Sequence, residues 1–123
     1  MKLEVGMYVR TKNRGIAKFR GWNAYDENKV AIHTHNEGDI EITPIIDKNT
    51  IIKASYNIID LIEVGDYVNG YKVSFKDNDY KPFVQCDYPV QKGTTNHYRF
   101  YEEAIYSIVT KEQFESISYK IGE

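Results

Sequence analysis

A seven-residue stretch that occurs twice is the feature that most constrains the fold of this chain. Residues 3–9 read LEVGMYV and residues 62–68 read IEVGDYV, so five of the seven positions match and the first is a Leu-for-Ile exchange. Each copy predicts a Val-Gly turn that leads into a Tyr-Val strand, and a hairpin signal follows it. The copies start 59 residues apart in a chain of 123 residues, which is the size of one small domain. We therefore predict two domains, residues 1–61 and 62–123; the repeat is compatible with duplication without requiring it.

Short β-strands separated by turns dominate the first half. The residues before Pro44 predict two hairpins, because apolar and polar residues alternate on either side of turn-forming segments. The first of these hairpins turns at residues 13–15, where Gly15 adopts a positive φ at little cost. Residues 44–54 predict another hairpin, with residues 47–49 as its turn.

The second half opens on the clearest local signal in the chain. Asn69 and Gly70 lie between strand-forming residues, and this pair predicts a type I′ hairpin because both central residues of that turn need positive φ. Residues 77–79 predict a further turn, whereas residues 89–96 have the composition of a loop.

Two segments have helical rather than strand patterns. Residues 55–62 (SYNIIDLI) predict a single helical turn capped by Ser55, and they are our candidate for the seam between the halves. Residues 110–117 (TKEQFESI) predict a short helix, since Thr110 and Gln113 have capping-box spacing.

Taken together, the strand and turn signals are typical of a mainly β protein made of two tandem small SH3-like β-barrels with one or two short helical turns. The short helix near residues 110–117 belongs to the C-terminal barrel. A unit of about 60 residues buries too little surface to be more than marginally stable alone. We therefore expect the two units to pack together.

Charge and cysteine content narrow the classes of function. Sixteen basic and eighteen acidic residues give a net charge of −2, so no overall electrostatic attraction to nucleic acid or to a membrane is expected. The single cysteine, Cys86, cannot form an internal disulfide, which fits a reducing compartment, and we interpret it as a small buried hydrophobe. The sequence has no signal-peptide pattern and no apolar run long enough to span a membrane, which predicts a soluble cytoplasmic protein.

Two segments resemble small proteins that phages and prophages of Gram-positive bacteria carry. The segments SYNIIDLIEVGDYVNGYKV and IYSIVTKEQFESISYKIGE cover most of residues 55 to 75 and 105 to 123. Proteins of this kind often end in a strand, a TKEQF helical turn and a short YK strand. The first 54 residues share only a VG-x-x-V…GIAKF cadence, which also resembles the opening of SH3-like and KOW-type barrels. The resemblance implies a barrel fold and a mobile-element setting in the cytoplasm of a host bacterial cell, and it transfers no catalytic residue.

Basic residues at even-numbered positions near the N-terminus form a candidate nucleic-acid-binding surface. On two paired strands several of them share one face, and Trp22 offers a ring on which a base can stack. The candidate residues are Arg10, Lys12, Arg14, Lys18, Arg20 and Trp22. A solvated strand face is the plainer interpretation, because acidic residues on the following elements balance the charge.

Acidic and aromatic residues at two predicted turns are the candidates for binding a protein partner. Side chains of this kind suit a groove that normally holds nucleic acid, although acidic turns are also common on soluble surfaces. The candidates are Glu37, Asp39 and Glu41 in the first half and Asp77, Asp79 and Tyr80 in the second.

No pattern in the sequence predicts a metal ion, a cofactor or a catalytic centre. His33 and His35 share a strand face, but no third ligand is evident. Asp77 starts a segment like a calcium loop, yet Pro82 and Tyr88 stand where such a loop needs Gly and Glu. Phosphate-binding loops, dinucleotide fingerprints and nucleophile elbows are also absent.

These features predict a non-enzymatic binding protein of a phage or another mobile element. The leading hypothesis is an anti-CRISPR-like inhibitor of a host defence nuclease, which acts by protein–protein binding without a cofactor. Its partner is then a host protein such as a CRISPR effector nuclease. Two alternatives are a nucleic-acid-binding accessory module that uses the basic N-terminal hairpin, and a structural or adaptor protein of the phage.

Overall fold

The computed structural model describes residues 2–34, 44–91 and 94–115, with the side chains of all but residues 34, 88–91 and 94–97. These residues form a mainly β protein with two antiparallel five-stranded sheets, which confirms the predicted fold class at that level. Within the same ranges, no helix has the length and apolar character needed to cross a membrane.

The first sheet has the strand order β4-β3-β2-β1-β5. Its strands are β1 (Tyr8–Thr11), β2 (Ile16–Trp22), β3 (Lys29–Thr34), β4 (Ile45–Asp47) and β5 (Ile51–Ser55). The predicted hairpin over residues 44–54 is wrong, because β4 pairs with β3 while β5 pairs with β1 at the opposite edge of the sheet. The 3₁₀ helix Lys48–Thr50 connects these two edge strands.

The second sheet has the strand order β10-β6-β7-β8-β9, which is the order of the first sheet repeated. Its strands are β6 (Tyr67–Val68), β7 (Tyr71–Asp77), β8 (Phe83–Gln91), β9 (Thr94–Tyr101) and β10 (Ile108–Val109). A 3₁₀ helix, Glu102–Ala104, again lies between the fourth and fifth strands.

The predicted type I′ turn at the start of this sheet is confirmed, whereas the loop predicted between β8 and β9 is not. Asn69 and Gly70 have φ of 53° and 88° between β6 and β7, as a type I′ turn requires. The predicted loop over residues 89–96 is wrong, because β8 and β9 pair through most of it. Its proline is accommodated by a β-bulge between Pro89 and Gln91.

The repeated stretch folds into the same turn in both halves. The backbone N–H of Met7 donates to the carbonyl of Glu4 at 3.1 Å, and the equivalent bond from Asp66 spans 3.0 Å. Gly6 and Gly65 have φ of 103° and 100°, and a type II turn requires a positive φ at this position. The predicted Val-Gly turn that leads into a Tyr-Val strand is therefore confirmed in both copies. The domain boundary near residue 61 stays a prediction.

The segment between the two sheets contributes to the core of the second one. It forms the 3₁₀ helix Ile58–Leu61, and Asn57 rather than Ser55 caps it by accepting a hydrogen bond from the backbone N–H of Ile59 at 3.0 Å. Tyr8 and Ile16 of the first sheet pack against the same core. This segment therefore lies where the two halves meet, as the predicted seam requires.

The C-terminal helix contacts the first hairpin of the chain. Its residues 111–115 are helical, and Thr110 and Gln113 form the predicted capping box, with backbone-to-side-chain hydrogen bonds of 3.0 and 3.3 Å. Gly15 in the β1–β2 turn has a φ of 72°, and a Cβ atom at this position would come within 2.3 Å of Gln113 Oε1. Glycine is favoured there because the positive φ is strained for other residues, and a Cβ would also require the Gln113 side chain to shift.

Candidate partner-binding surface

Arg10, the first of the candidate nucleic-acid-binding residues, is fully buried at the junction of the two sheets. Its Nη1 donates to Asp66 Oδ2 at 2.5 Å and to the carbonyl of Leu61 at 2.8 Å. Its Nη2 donates to Asp66 Oδ1 at 2.9 Å and to Glu112 Oε2 at 2.5 Å. Paired hydrogen bonds between a guanidinium and a carboxylate are among the strong ones in proteins. The guanidinium is occupied within the protein and is not available to a phosphate in this conformation.

Asp66 joins three segments at this junction. Besides Arg10, its carboxylate accepts hydrogen bonds from the backbone N–H groups of Glu63 at 2.8 Å and Lys111 at 2.9 Å. The first copy of the repeat has Met7 at the equivalent position. One of the two positions at which the copies differ is therefore a residue that links the two halves.

Hydrogen bonds and ion pairs at the junction stabilise the charged forms of the side chains that take part in them. Burial alone lowers the pKa of Arg10, but hydrogen bonds to Asp66 and Glu112 outweigh it, and the pKa lies above its ordinary value. A hydrogen bond from Lys111 lowers the pKa of Glu63, and the same bond raises the pKa of Lys111. These shifts favour the charged forms of Arg10, Glu63 and Lys111, so we interpret the junction as structural.

The other basic candidates are at the surface, but they do not share a face with Trp22. The exposed ones are Lys12 and Arg14 in the β1–β2 turn and Lys18 and Arg20 in β2. A β-bulge between Phe19 and Gly21 shifts the pairing so that Trp22 lies opposite the core residue Val30. The ring of Trp22 accordingly contacts Phe19, with 5.8 Å between ring centroids. The predicted combination of basic residues with this ring is not formed.

The second-half candidates for partner binding lie together at the end of the β7–β8 hairpin. Asp77 ends β7, and its Oδ1 accepts a hydrogen bond from the backbone N–H of Asp79 at 2.8 Å, which confirms the predicted turn. Tyr80 follows and is fully exposed. We call these three residues the β7–β8 tip. The first-half candidates, Glu37, Asp39 and Glu41, lie outside the described residues.

Beside the β7–β8 tip, the solvent-facing side of the second sheet carries a row of aromatic rings. The strand register places Phe83 opposite Tyr101, and residues that are opposite each other share a face of the sheet. The ring centroid of Phe83 is 5.8 Å from that of Tyr101 and 6.2 Å from that of Phe75. Phe75 is 47% exposed. We call this row, with Lys81 and Arg99, the outer aromatic face.

Two cations of the outer aromatic face lie over its rings. The guanidinium of Arg99 is 4.8 Å from the ring centroid of Phe83, and Lys81 Nζ is 4.4 Å from that of Tyr101. Lys81 also pairs with Glu103 at 3.2 Å, but both side chains are exposed, and such pairs add little stability. Aromatic residues and arginine are the types enriched in protein interfaces, so this face has the composition of a binding surface.

Sequence reasoning did not single out the outer aromatic face, although part of its signal was present. Adjacent Phe83 and Val84 are both apolar, which indicates a strand with apolar side chains on both of its faces. Phe75 was harder to recognise, since alternation places it on the same side as Val73. A β-bulge between these two residues turns Phe75 outward while Val73 stays buried.

Cys86 and the two histidines of residues 33–35 are the remaining side chains with a potential chemical role. Cys86 is fully buried in the second core, as predicted, and burial together with Asp87 raises the pKa of its thiol to about 11. His33 is partly buried, and its Nδ1 has no hydrogen-bond partner, whereas His35 lies outside the described residues. Within the part of the chain that the structure describes, no three metal-ligating side chains come together.

No protein-family model matches the chain, and neither a curated protein nor a solved structure shows significant similarity to it. Function therefore has to be inferred from the surface itself.

Proposed function

We propose that this chain is a non-enzymatic binding protein that contacts a partner protein through the outer aromatic face and the adjoining β7–β8 tip. The observation that carries the proposal is the exposure of Phe75 and Tyr80 beside a row of rings and cations on one sheet. A few residues supply most of the binding free energy in protein interfaces, and tyrosine and arginine are enriched among them. A partner that covers this row would bury apolar surface that now faces water.

The carboxylates of the β7–β8 tip favour a partner with a basic groove, whereas Lys81 and Arg99 contact rings of the outer aromatic face itself. Asp77 and Asp79 present carboxylates next to Tyr80, and an acidic and aromatic surface complements the basic channels in which nucleases hold DNA. The proposed role is inhibition of a host defence nuclease in the manner of an anti-CRISPR protein. The resemblance to phage and prophage proteins of Gram-positive bacteria supports this setting.

The proposal includes a finer description of the fold, in which each half is an SH3-like barrel. Two regularities support it. Both sheets have the same strand order, and in both a 3₁₀ helix connects the fourth and fifth strands. SH3-like barrels use this order and this connection. With one barrel in each half, the division into residues 1–61 and 62–123 follows.

The test uses purified CRISPR nuclease complexes from Gram-positive hosts and measures target DNA cleavage with increasing amounts of the chain. We expect inhibition, and we expect the double variant Phe75→Ser, Tyr80→Ala to need at least about 30-fold more protein, since the loss of a single hot-spot residue already costs about 2 kcal/mol or more. Ile45 and Tyr25 are 56% and 99% exposed elsewhere on the surface, so Ile45→Ser, Tyr25→Ala is the matched control. Inhibition of no nuclease, or equal inhibition by both double variants, would contradict the proposal.

A nucleic-acid-binding module is the second candidate, and the exposed basic residues of β1–β2 favour it. It predicts salt-dependent binding of a labelled single-stranded oligonucleotide, and weaker binding when Lys12, Arg14 and Lys18 are all changed to Ala. Arg10 is left unchanged in this variant, since its guanidinium is buried and paired. An unshifted oligonucleotide at low salt would remove this candidate. The third alternative, a structural or adaptor protein, stays a prediction.

A further inference from the structure

An open pocket lies on the other side of the second sheet from the outer aromatic face. Its volume is about 240 Å³, and its lining residues are Asn69, Tyr71, Tyr98, Phe100 and Tyr106. Tyr98 and Phe100 lie opposite the buried residues Cys86 and Val84 in the register of β8 and β9. Their rings therefore extend the second core to the surface, where the pocket opens.

The rings around the pocket meet at different angles. Tyr71 lies 5.2 Å from Tyr98 with an interplanar angle of 64°, and 6.3 Å from Phe100 with an angle of 15°. Tyr98 and Phe100 are 6.0 Å apart at 53°. The rings of Tyr71 and Phe100 are thus nearly parallel, and that of Tyr98 is inclined to both, so the lining presents rings in two orientations.

Tyr106 is the last of the residues that line the pocket. Its side chain is 75% exposed, but hydrogen bonds fix its backbone. The side-chain oxygen of Asn69 accepts hydrogen bonds from the backbone N–H groups of Tyr106 at 2.9 Å and Ser107 at 3.1 Å. The side-chain nitrogen of Asn69 donates to the carbonyl of Ala104 at 2.9 Å. The amide at the base of the pocket is thus satisfied within the protein, and it holds an exposed ring at the pocket's edge.

The lining of the pocket is compatible with a bound cation. No charged side chain lines it, so a bound ammonium group meets no competing positive charge. The 3₁₀ helix Glu102–Ala104 ends at the residue that Asn69 holds, and its two glutamates are exposed. Glu103 pairs with Lys81, whereas Glu102 makes no ion pair within the described residues. Glu103 is thus engaged by Lys81 of the outer aromatic face, and the attraction of the pocket for a cation comes from the ring faces alone.

We propose that this pocket binds a methylated ammonium group. The ring faces carry negative charge density that attracts a cation, and the methyl groups of a quaternary ammonium lose little hydration when they contact the rings. An unmethylated lysine ammonium is strongly hydrated and fits such a site less well. Two sources share this chemistry: a small choline-like molecule, and a methylated lysine side chain of another protein.

The test is a titration of the full chain with choline, followed by the NMR chemical shifts of its aromatic side chains. The neutral isostere 3,3-dimethylbutan-1-ol has the same shape without the charge. We expect saturable binding of choline and at least about tenfold weaker binding of the isostere, because the cation–ring attraction is absent. Equal affinity for the two compounds would overturn the proposal, and so would the absence of saturable shifts with choline.

Substitutions of Tyr106, at the edge of the pocket, test whether choline binds there without disturbing the core. Tyr106→Ala is expected to weaken choline binding at least about fivefold, and Tyr106→Phe to retain it, since the ring and not the hydroxyl makes the contact. Tyr25→Ala removes a tyrosine elsewhere that is 99% exposed, and it serves as the control. Unchanged choline affinity in Tyr106→Ala would overturn the assignment to this pocket.

Peptide probes separate the two sources. A peptide that contains trimethyllysine is compared with the same peptide unmodified and with free choline. Tighter binding of the methylated peptide than of choline assigns the site to a protein side chain, and affinity no higher than that of choline assigns it to a small molecule. A proline-rich peptide that binds while every ammonium probe fails would show an apolar site and overturn the proposal. Because the pocket is separate from the outer aromatic face, Tyr106→Ala should leave nuclease inhibition unchanged.

Discussion

Replacement of Asp66 by Ala is expected to lower the free energy of unfolding by about 3–5 kcal/mol, because it leaves the charge of buried Arg10 without its main partner. The backbone N–H groups of Glu63 and Lys111 lose their acceptor in the same variant. Domains are stable by only about 5–15 kcal/mol, so the loss is a large part of the total. The measurement is urea unfolding, read as a fall in the midpoint at constant slope.

The control for this variant removes an exposed carboxylate that makes no hydrogen bond or ion pair with any residue the structure describes. Glu27 is exposed in the connection between β2 and β3, and Glu27→Ala should change the free energy of unfolding by less than about 0.5 kcal/mol. Adding Arg10→Met to Asp66→Ala should recover part of the loss, since the uncompensated charge is then removed. An Asp66→Ala protein within about 1 kcal/mol of the wild type would contradict the structural role of the junction.

Replacement of Ile59 by Ala is expected to destabilise both halves together, by about 2–5 kcal/mol. Ile59 is fully buried in the 3₁₀ helix between the sheets, and the last residue of that helix, Leu61, binds Arg10 of the first sheet. The chain has one natural probe in each half. Trp22, its only tryptophan, reports on the first sheet by fluorescence, and Cys86, its only cysteine, reports on the second core by reaction with a thiol reagent.

If the halves are coupled, Ile59→Ala moves the urea midpoints of both probes by the same amount. The buried thiol of Cys86, with its pKa raised to about 11, reacts slowly until the second core opens, which makes it a clean probe. Ile52→Ala is the control, because Ile52 is 42% exposed on β5. A shift of the Cys86 midpoint with an unchanged Trp22 midpoint would show that the halves unfold independently.

The features that could be predicted from the sequence are those that local chemistry decides. The two Val-Gly turns need glycine at a positive φ, Asn69 and Gly70 specify a type I′ turn, and Thr110 with Gln113 caps a helix; each depends on neighbours in the sequence. These elements can therefore be recognised without knowing what they pack against.

The features that could not be predicted depend on distant contacts or on irregular strands. Arg10 has the alternation of a solvent-facing strand residue, but the face it occupies is covered by the other half, including Asp66, 56 residues away. Phe75 faces solvent because a bulge interrupts the alternation of β7. The stretch around Pro89 has the composition of a loop, yet pairing with β9 makes it a strand.

The most direct test of the proposed function is a plaque count on Gram-positive host cells that express the chain and carry a CRISPR nuclease targeting the infecting phage. A panel of hosts with different nuclease types is used. For at least one of them, we predict that the wild-type chain and the Ile45→Ser, Tyr25→Ala control restore plaques, while Phe75→Ser, Tyr80→Ala does not. Plaque counts that stay low with every form of the chain, or that rise equally with both double variants, would contradict the proposal that the outer aromatic face inhibits a defence nuclease.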